Sequence, residues 1–261
     1  MKLAFSTIGC PEWTFDEIFA VANDLRYDGV EIRGIGRQMY APQIKQLTDG
    51  SVERKKQKTG LEVCCLASGA TFAMHDKKDE SLAEAKAYID LAEQLSVPYV
   101  RIMSTDKPYY DGGDVKLCEK LFAEIVKYAE KTSVTPLMET NGLFIDTALL
   151  KSFLLTTGGG ALWDIHHPYR FGGETIEQSY KNLSGLVKHV HVKDSVVENG
   201  KTAYRIVGHG DVPIKTAVDY LKTDGFDGYL TMEWVKRWHK ELEEPGVVLA
   251  HYPFFMRRYI K

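Results

Sequence analysis

Short apolar runs alternate with stretches of helical periodicity along almost the whole chain. Residues 3–8 read as a first strand. Phe15, Ile18, Phe19, Ala22 and Leu25 then recur at three- and four-residue spacing, which puts them on one face of a helix that Thr14 can cap. A second strand spans 29–34. A polar helix over about 44–57 has Leu47 and Val52 as anchors, with Gly60 just past its end. Residues 61–66 predict a third strand, 67–78 a long loop, and about 80–95 a helix with Leu82, Ala85, Ile89 and Ala92 on one side. The fourth strand, 99–103, leads through turn-rich 104–113 into a helix over 115–128. Residues 134–139 are the fifth strand, with Pro136 placed near its start because proline removes a ladder donor. A helix starts near Asp146, the sixth strand is 161–165, and another helix starts near Thr175.

Residues 187–194 read Val-Lys-His-Val-His-Val-Lys-Asp. Alternate residues of a strand face the same way, so His189 and His191 point together. A long segment, 195–213, follows and contains Asn199-Gly200 and Gly208-His209-Gly210-Asp211. Residues 214–221 are helical, and 229–233 form the eighth strand. From Trp238 an amphipathic pattern is interrupted at Glu244-Pro245-Gly246. The final aromatic run, 254–259, reads as packing over the body of the protein, with an interface in a homo-oligomer as the alternative. Eight strands alternating with helices, without a linker or tandem repeat, predict an α/β chain folded as a single-domain (β/α)8 TIM barrel over residues 1–261. Such a barrel gathers the ends of its strands at one mouth.

Composition narrows the reading. A chain of 261 residues that is 44% hydrophobic and 26% charged is an ordinary globular protein. Its net charge of -3 and pI near 6.3 give no reason to expect nucleic acid or an anionic membrane as partner. Cys10, Cys64, Cys65 and Cys118 form no CxxC pair, and with no leader-like apolar segment the expected location is cytoplasmic.

Glu139, Asp164, His191 and Glu233 stand at the ends of four different strands. Buried charge is costly unless paired or coordinated, and three carboxylates with an imidazole suit a divalent ion such as Mn2+, Mg2+, Co2+ or Zn2+. Taken singly, each acid also reads as a cap, a salt bridge or a loop residue.

The chain resembles the xylose-isomerase-like barrel superfamily, in its sugar epimerase, ketose isomerase and inosose dehydratase-like branch. The resemblance is carried by Gly29-Val30-Glu31, Leu137-Met138-Glu139-Thr140-Asn141, Asp164-Ile165-His166-His167, His191-Val192-Lys193-Asp194, Val207-Gly208-His209-Gly210 and Asp227 to Glu233. It implies that Glu139, Asp164, His191 and Glu233 bind one divalent cation, here taken as Mn2+ in preference to Mg2+, Co2+ or Zn2+. It also implies that His167 hydrogen-bonds an oxygen of a small polyhydroxy carbonyl substrate. Glu139 and Glu233 would then move protons on opposite sides of that substrate through an enediolate, giving epimerisation or aldose/ketose isomerisation. Loss of a β-hydroxyl from the same enediolate would instead make the protein an inosose or sugar-acid dehydratase.

Around this set, Glu31 is expected to orient substrate or the histidines, with a structural salt bridge as the competing role. Arg205 and His209 are candidates to meet polar substrate groups, and His189 reads as a packed neighbour. Lys193 and Asp194 are read as steadying His191 or its loop, and Arg101 as a mouth residue or an ion-pair partner. Trp13, Phe72, Tyr109, Phe144 and Trp234 are candidates for an apolar wall. A multi-zinc apurinic endonuclease would need further histidines after strands three and four, where the chain has Leu66-Ala67-Ser68 and Ile102-Met103-Ser104. A non-catalytic sugar-binding barrel is the remaining rival.

Overall fold

A computed structural model describes residues 1–260. Its elements follow in chain order as β1 (Lys2–Ser6), α1 (Phe15–Asp24), β2 (Gly29–Ile32), α2 (Ser51–Thr59), β3 (Glu62–Thr71), α3 (Lys78–Gln94), β4 (Tyr99–Met103) and α4 (Val115–Ala129). Then come β5 (Thr135–Glu139), α5 (Thr147–Thr157), β6 (Gly160–Asp164), α6 (His166–Phe171), α7 (Ile176–Leu183) and β7 (Val187–Val192). The chain ends with β8 (Asp194–Glu198), β9 (Lys201–Arg205), α8 (Ile214–Thr223), β10 (Tyr229–Met232) and α9 (Pro245–Met256). Eight strands close a barrel in the order β1-β10-β7-β6-β5-β4-β3-β2, with every neighbour parallel. Parallel strands under a helical jacket are buried on both faces, which is why β1, β6 and β10 are short and apolar rather than alternating.

Local sequence sets where the helices begin. Thr14 and Glu17 form a reciprocal cap on α1, Thr175 and Gln178 one on α7, and Asp146 accepts from the Leu149 N–H at 3.0 Å to start α5. The four cysteines are free and buried, with Cys64 and Cys65 inside β3. Among the described residues no helix is long and apolar enough to cross a membrane.

Three expectations are corrected. β3 runs on to Thr71 through part of the predicted loop, because small residues there let the strand bend: pairing with β4 shifts register between Ala67 and Thr71. Segment 195–213 is no simple loop. It opens with the antiparallel hairpin β8–β9, turned at Asn199-Gly200, where both residues have positive φ, 50° and 74°. An Asn-Gly pair between alternating strands is a strong hairpin signal. At the C-terminus, Pro245 opens α9 instead of interrupting a helix, since its missing N–H costs nothing in a first turn. α9 packs on the barrel as expected: Tyr252 donates to the Leu230 carbonyl at 3.0 Å and accepts its place beside Tyr27, which donates to the Leu249 carbonyl at 2.7 Å. Phe254 of the same helix faces outward.

Candidate active site

Glu139 ends β5, Asp164 ends β6, His191 is the fifth residue of β7, and Glu233 directly follows β10. Parallel pairing of Asp164 with His191, and of His191 with Thr231, sets these positions level at one end of the barrel. All four side chains are buried.

His191 is the hub. Its Nε2–H donates to Glu31 Oε2 at 2.9 Å, which leaves Nδ1 facing inward without a hydrogen-bond partner. Around that nitrogen lie Glu233 Oε1 at 3.4 Å, Glu139 Oε1 at 3.6 Å and Asp164 Oδ2 at 3.9 Å. One ligand atom from each residue can be chosen so that all four lie within 4.8 Å of one another. Metal bonds of about 2.0–2.2 Å place opposite ligands about 4 Å apart, so this donor set fits one ion after small shifts. Three buried carboxylate oxygens converging on this nitrogen need positive charge among them, which a metal ion supplies, or a proton on Nδ1 in its place.

Neighbouring groups orient these four. Asp164 Oδ1 accepts from the His166 and His167 amides at 2.9 and 3.3 Å, which leaves Oδ2 for the centre. Arg101, inside the barrel on β4, donates to Glu139 Oε2 at 3.0 Å. Lys193 Nζ lies 2.5 Å from Asp164 Oδ2 and also contacts Glu233 Oε2. His167 Nδ1 donates to the Thr140 carbonyl at 3.2 Å, and its Nε2 is 3.5 Å from Asp164 Oδ2.

Burial alone would raise the carboxylates. At Glu139 the Arg101 guanidinium and the His191 imidazole outweigh it, and at Glu233 Lys193 and His191 do, so both stay below the ordinary carboxylate value. Glu31 is also pulled well down against its burial, chiefly by His191 and His189. Burial would lower His191, yet Glu31 and Glu233 hold it well above the usual imidazole value. Lys193 is raised against its burial by Asp164 and Glu233, whereas His167 is lowered by burial and stays neutral near pH 7.

A cavity of about 500 Å³ opens above the cluster. Glu139, Glu233, His167, Lys193 and Arg101 line its floor. Its apolar side is made by Met103, Pro108, Tyr204, Val235 and Trp238, and none of the five aromatics expected there lines it. Phe72, Phe144 and Trp234 are core residues instead.

The structure thus brings Glu139, Asp164, His191, Glu233 and His167 together, with Glu31 behind the two histidines. His189 is a neighbour whose Nε2 lies 3.2 Å from Glu31 Oε2 and 2.9 Å from Thr231 Oγ1. Arg205 and His209 are not brought to the cavity. Arg205 turns along the hairpin to pair with Glu198, and exposed His209 packs against His251. The Gly208-His209-Gly210 run serves Asp194, whose carboxylate accepts from the Ser195, Gly208, Gly210 and Val212 amides at 2.9 to 3.2 Å. A Cβ on Gly210 would lie 2.0 Å from Asp194 Oδ1, so only glycine fits. Replacing Asp194 with alanine strands those amides and should cost about 2–4 kcal/mol, read as a fall of roughly 5–15 °C in Tm. An unchanged Tm would show that the loop holds without it.

Lys193, read from the sequence as steadying His191, reaches Asp164 and Glu233 instead, and Arg33 was the cavity residue least visible from sequence. Lys193 follows His189 and His191 at the same spacing of two, so the strand alternation extends to it. Arg33 carried no such signal.

Comparisons with known proteins agree with the barrel fold. The family model for the xylose isomerase-like TIM barrel matches residues 19–251. Fructoselysine 3-epimerase of Shigella flexneri is 24% identical over 263 residues, covering 92% of this chain and 92% of that protein. Among solved structures, the IOLI protein with a bound zinc atom superposes with a TM-score of 0.81 at 18% identity, covering 99% of each chain. L-ribulose 3-epimerase gives 0.80 at 14%, covering 99% of this chain and 94% of that one.

Proposed function

We propose, from the premise that this chain belongs to the xylose isomerase-like TIM-barrel family, that it is a divalent-metal-dependent sugar epimerase or aldose/ketose isomerase. The observation that carries the reading is His191 Nδ1, unpartnered and faced by one oxygen from each of Glu139, Asp164 and Glu233. The epimerase relatives support the choice of reaction. Mn2+ is the ion proposed, because three oxygen donors and one imidazole suit a harder divalent cation, with Mg2+, Co2+ and Zn2+ as alternatives.

When bound, the ion stabilises negative charge that develops on substrate oxygens. Glu139 and Glu233, held ionised at neutral pH, each present a carboxylate to the cavity floor and can take a proton from a carbon next to the carbonyl. Removal of that proton by one glutamate, and return of a proton to the opposite face by the other after it has taken one up from water, inverts the carbon; return to the former carbonyl carbon, with the hydroxyl proton passing to the former carbonyl oxygen, moves the carbonyl. His167, neutral and fixed through Nδ1, has Nε2 free to hydrogen-bond a substrate hydroxyl. Met103, Tyr204 and Trp238 give one side of the cavity an apolar wall.

Incubating the metal-loaded protein with a panel of ketoses and identifying products by NMR tests the assignment. An epimer or an aldose is expected. A dehydrated product alone would move the protein to the dehydratase reading. His191 also predicts a linkage. In the metal-free protein its raised value keeps it protonated near pH 7, so an ion must displace that proton. Metal affinity should therefore rise with pH, with about one proton released on binding near neutrality. Calorimetry in buffers of different ionisation enthalpy measures the release, and none at all would contradict the role of Nδ1.

A further inference from the structure

Arg33, the residue after β2, lines the same cavity but stands outside its ion pairs. Arg101 is committed to Glu139, Lys193 to Asp164 and Glu233, and at the rim Lys77 to Asp106 at 3.3 Å. The Arg33 backbone N–H donates to Thr7 Oγ1 at 2.9 Å, which fixes the start of its side chain. Among the described residues its guanidinium makes neither a hydrogen bond nor an ion pair. The carboxylate of Glu84, the acid on that side, accepts from the Gly69 N–H at 2.5 Å. Burial and the neighbouring Arg101 lower Arg33 to about 10, so it remains a cation at neutral pH. Lys107, exposed on the rim, adds a second positive charge without an ion-pair partner among the described residues.

A guanidinium offers five donors in a fixed plane, and its fork matches a carboxylate or phosphate. Two guanidiniums facing one partly dry space repel each other; Glu139 pairs directly with Arg101, whereas Glu84 and Glu233 act on Arg33 only from beyond ion-pair distance. An anion entering the cavity satisfies Arg33.

We propose that Arg33 is a substrate clamp that binds a carboxylate or phosphate group, so that the enzyme acts on an anionic polyhydroxy carbonyl compound in preference to a neutral sugar. This deepens the proposed function and rests on it for the reaction, though not for the binding of the anion.

The test compares a neutral ketose with its terminal phosphate and its terminal carboxylate, using the metal-loaded full chain as wild type, Arg33→Gln and Arg33→Lys. At least one charged substrate should exceed the neutral one in kcat/KM by about 10- to 100-fold. Arg33→Gln should erase that advantage mainly through KM, leaving the neutral ketose within about threefold; Arg33→Lys should recover part of it. Which charged substrate gains tells phosphate from carboxylate. Equal kcat/KM for all three in wild type, or an equal loss on all three in Arg33→Gln, would overturn the clamp. Calorimetric titration with inorganic phosphate and with gluconate gives a readout without turnover. If no ketose reacts but wild type binds one anion at least about tenfold more tightly than Arg33→Gln, the clamp stands and the reaction fails. If the neutral ketose reacts and both proteins bind both anions equally, the reaction stands and the clamp fails. Matching thermal unfolding midpoints establish that the variants are folded.

Discussion

Glutamine in place of Glu233 or Glu139 should lower the rate of C–H proton exchange by about 10²- to 10⁴-fold. The amide keeps the length and shape of the side chain but can neither take a proton nor return it. Each glutamate meets the cavity from a different strand: Glu139 from β5 with Arg101 on its Oε2, Glu233 from β10 with Lys193 on its Oε2. The cation partners keep both ionised, which is the form that removes a proton; the one that returns a proton first takes one up from water. Either variant should therefore retain its fold, because Arg101 and Lys193 can still donate to an amide oxygen. Both carboxylates also face the ion's position, so metal content is measured alongside exchange. A loss that persists when the site is saturated with Mn2+ belongs to proton transfer, and a loss cured by excess metal belongs to coordination. Wild-type exchange in both variants would overturn the paired-base assignment.

Withdrawal of the proposed ion should have a comparable effect. Chelation should reduce turnover to background, and Mn2+ should restore it. Asp164→Asn should raise the metal concentration needed for half-activity by at least about 100-fold, since loss of even an outer partner costs 10- to 100-fold. The amide keeps an oxygen for the His166 and His167 N–H groups but weakens the donor that faces His191. Full activity in a protein shown to be metal-free would remove the basis for the cluster.

The barrel was legible because its strands are short apolar runs separated by capped amphipathic helices, and residues at four strand ends converge once the barrel closes. The alternation of β7 put His189 and His191 on one side but could not rank them. That distinction comes from Glu31, which reaches from β2 to both rings and leaves Nδ1 of His191 turned to the carboxylates. Proximity after β7 misled for Arg205 and His209. The β8–β9 hairpin carries Arg205 to Glu198, and the amides gathered by Asp194 turn His209 outward. The Asn199-Gly200 turn marks that hairpin in the sequence, where the segment around it reads only as loop, whereas the amides around Asp194 come from 14 to 18 residues away and have no local signal. Arg33 was illegible for the opposite reason: what marks it is a missing partner, and only the assembled cavity shows that.

The most direct measurement is deuterium incorporation from D2O by the metal-loaded protein, followed by NMR at the C–H beside the carbonyl in a panel of ketoses, hydroxy acids and inososes. The proton-transfer account predicts incorporation in at least one member, dependent on added metal and lost in Glu139→Gln and Glu233→Gln. No incorporation in any member of the panel would contradict it.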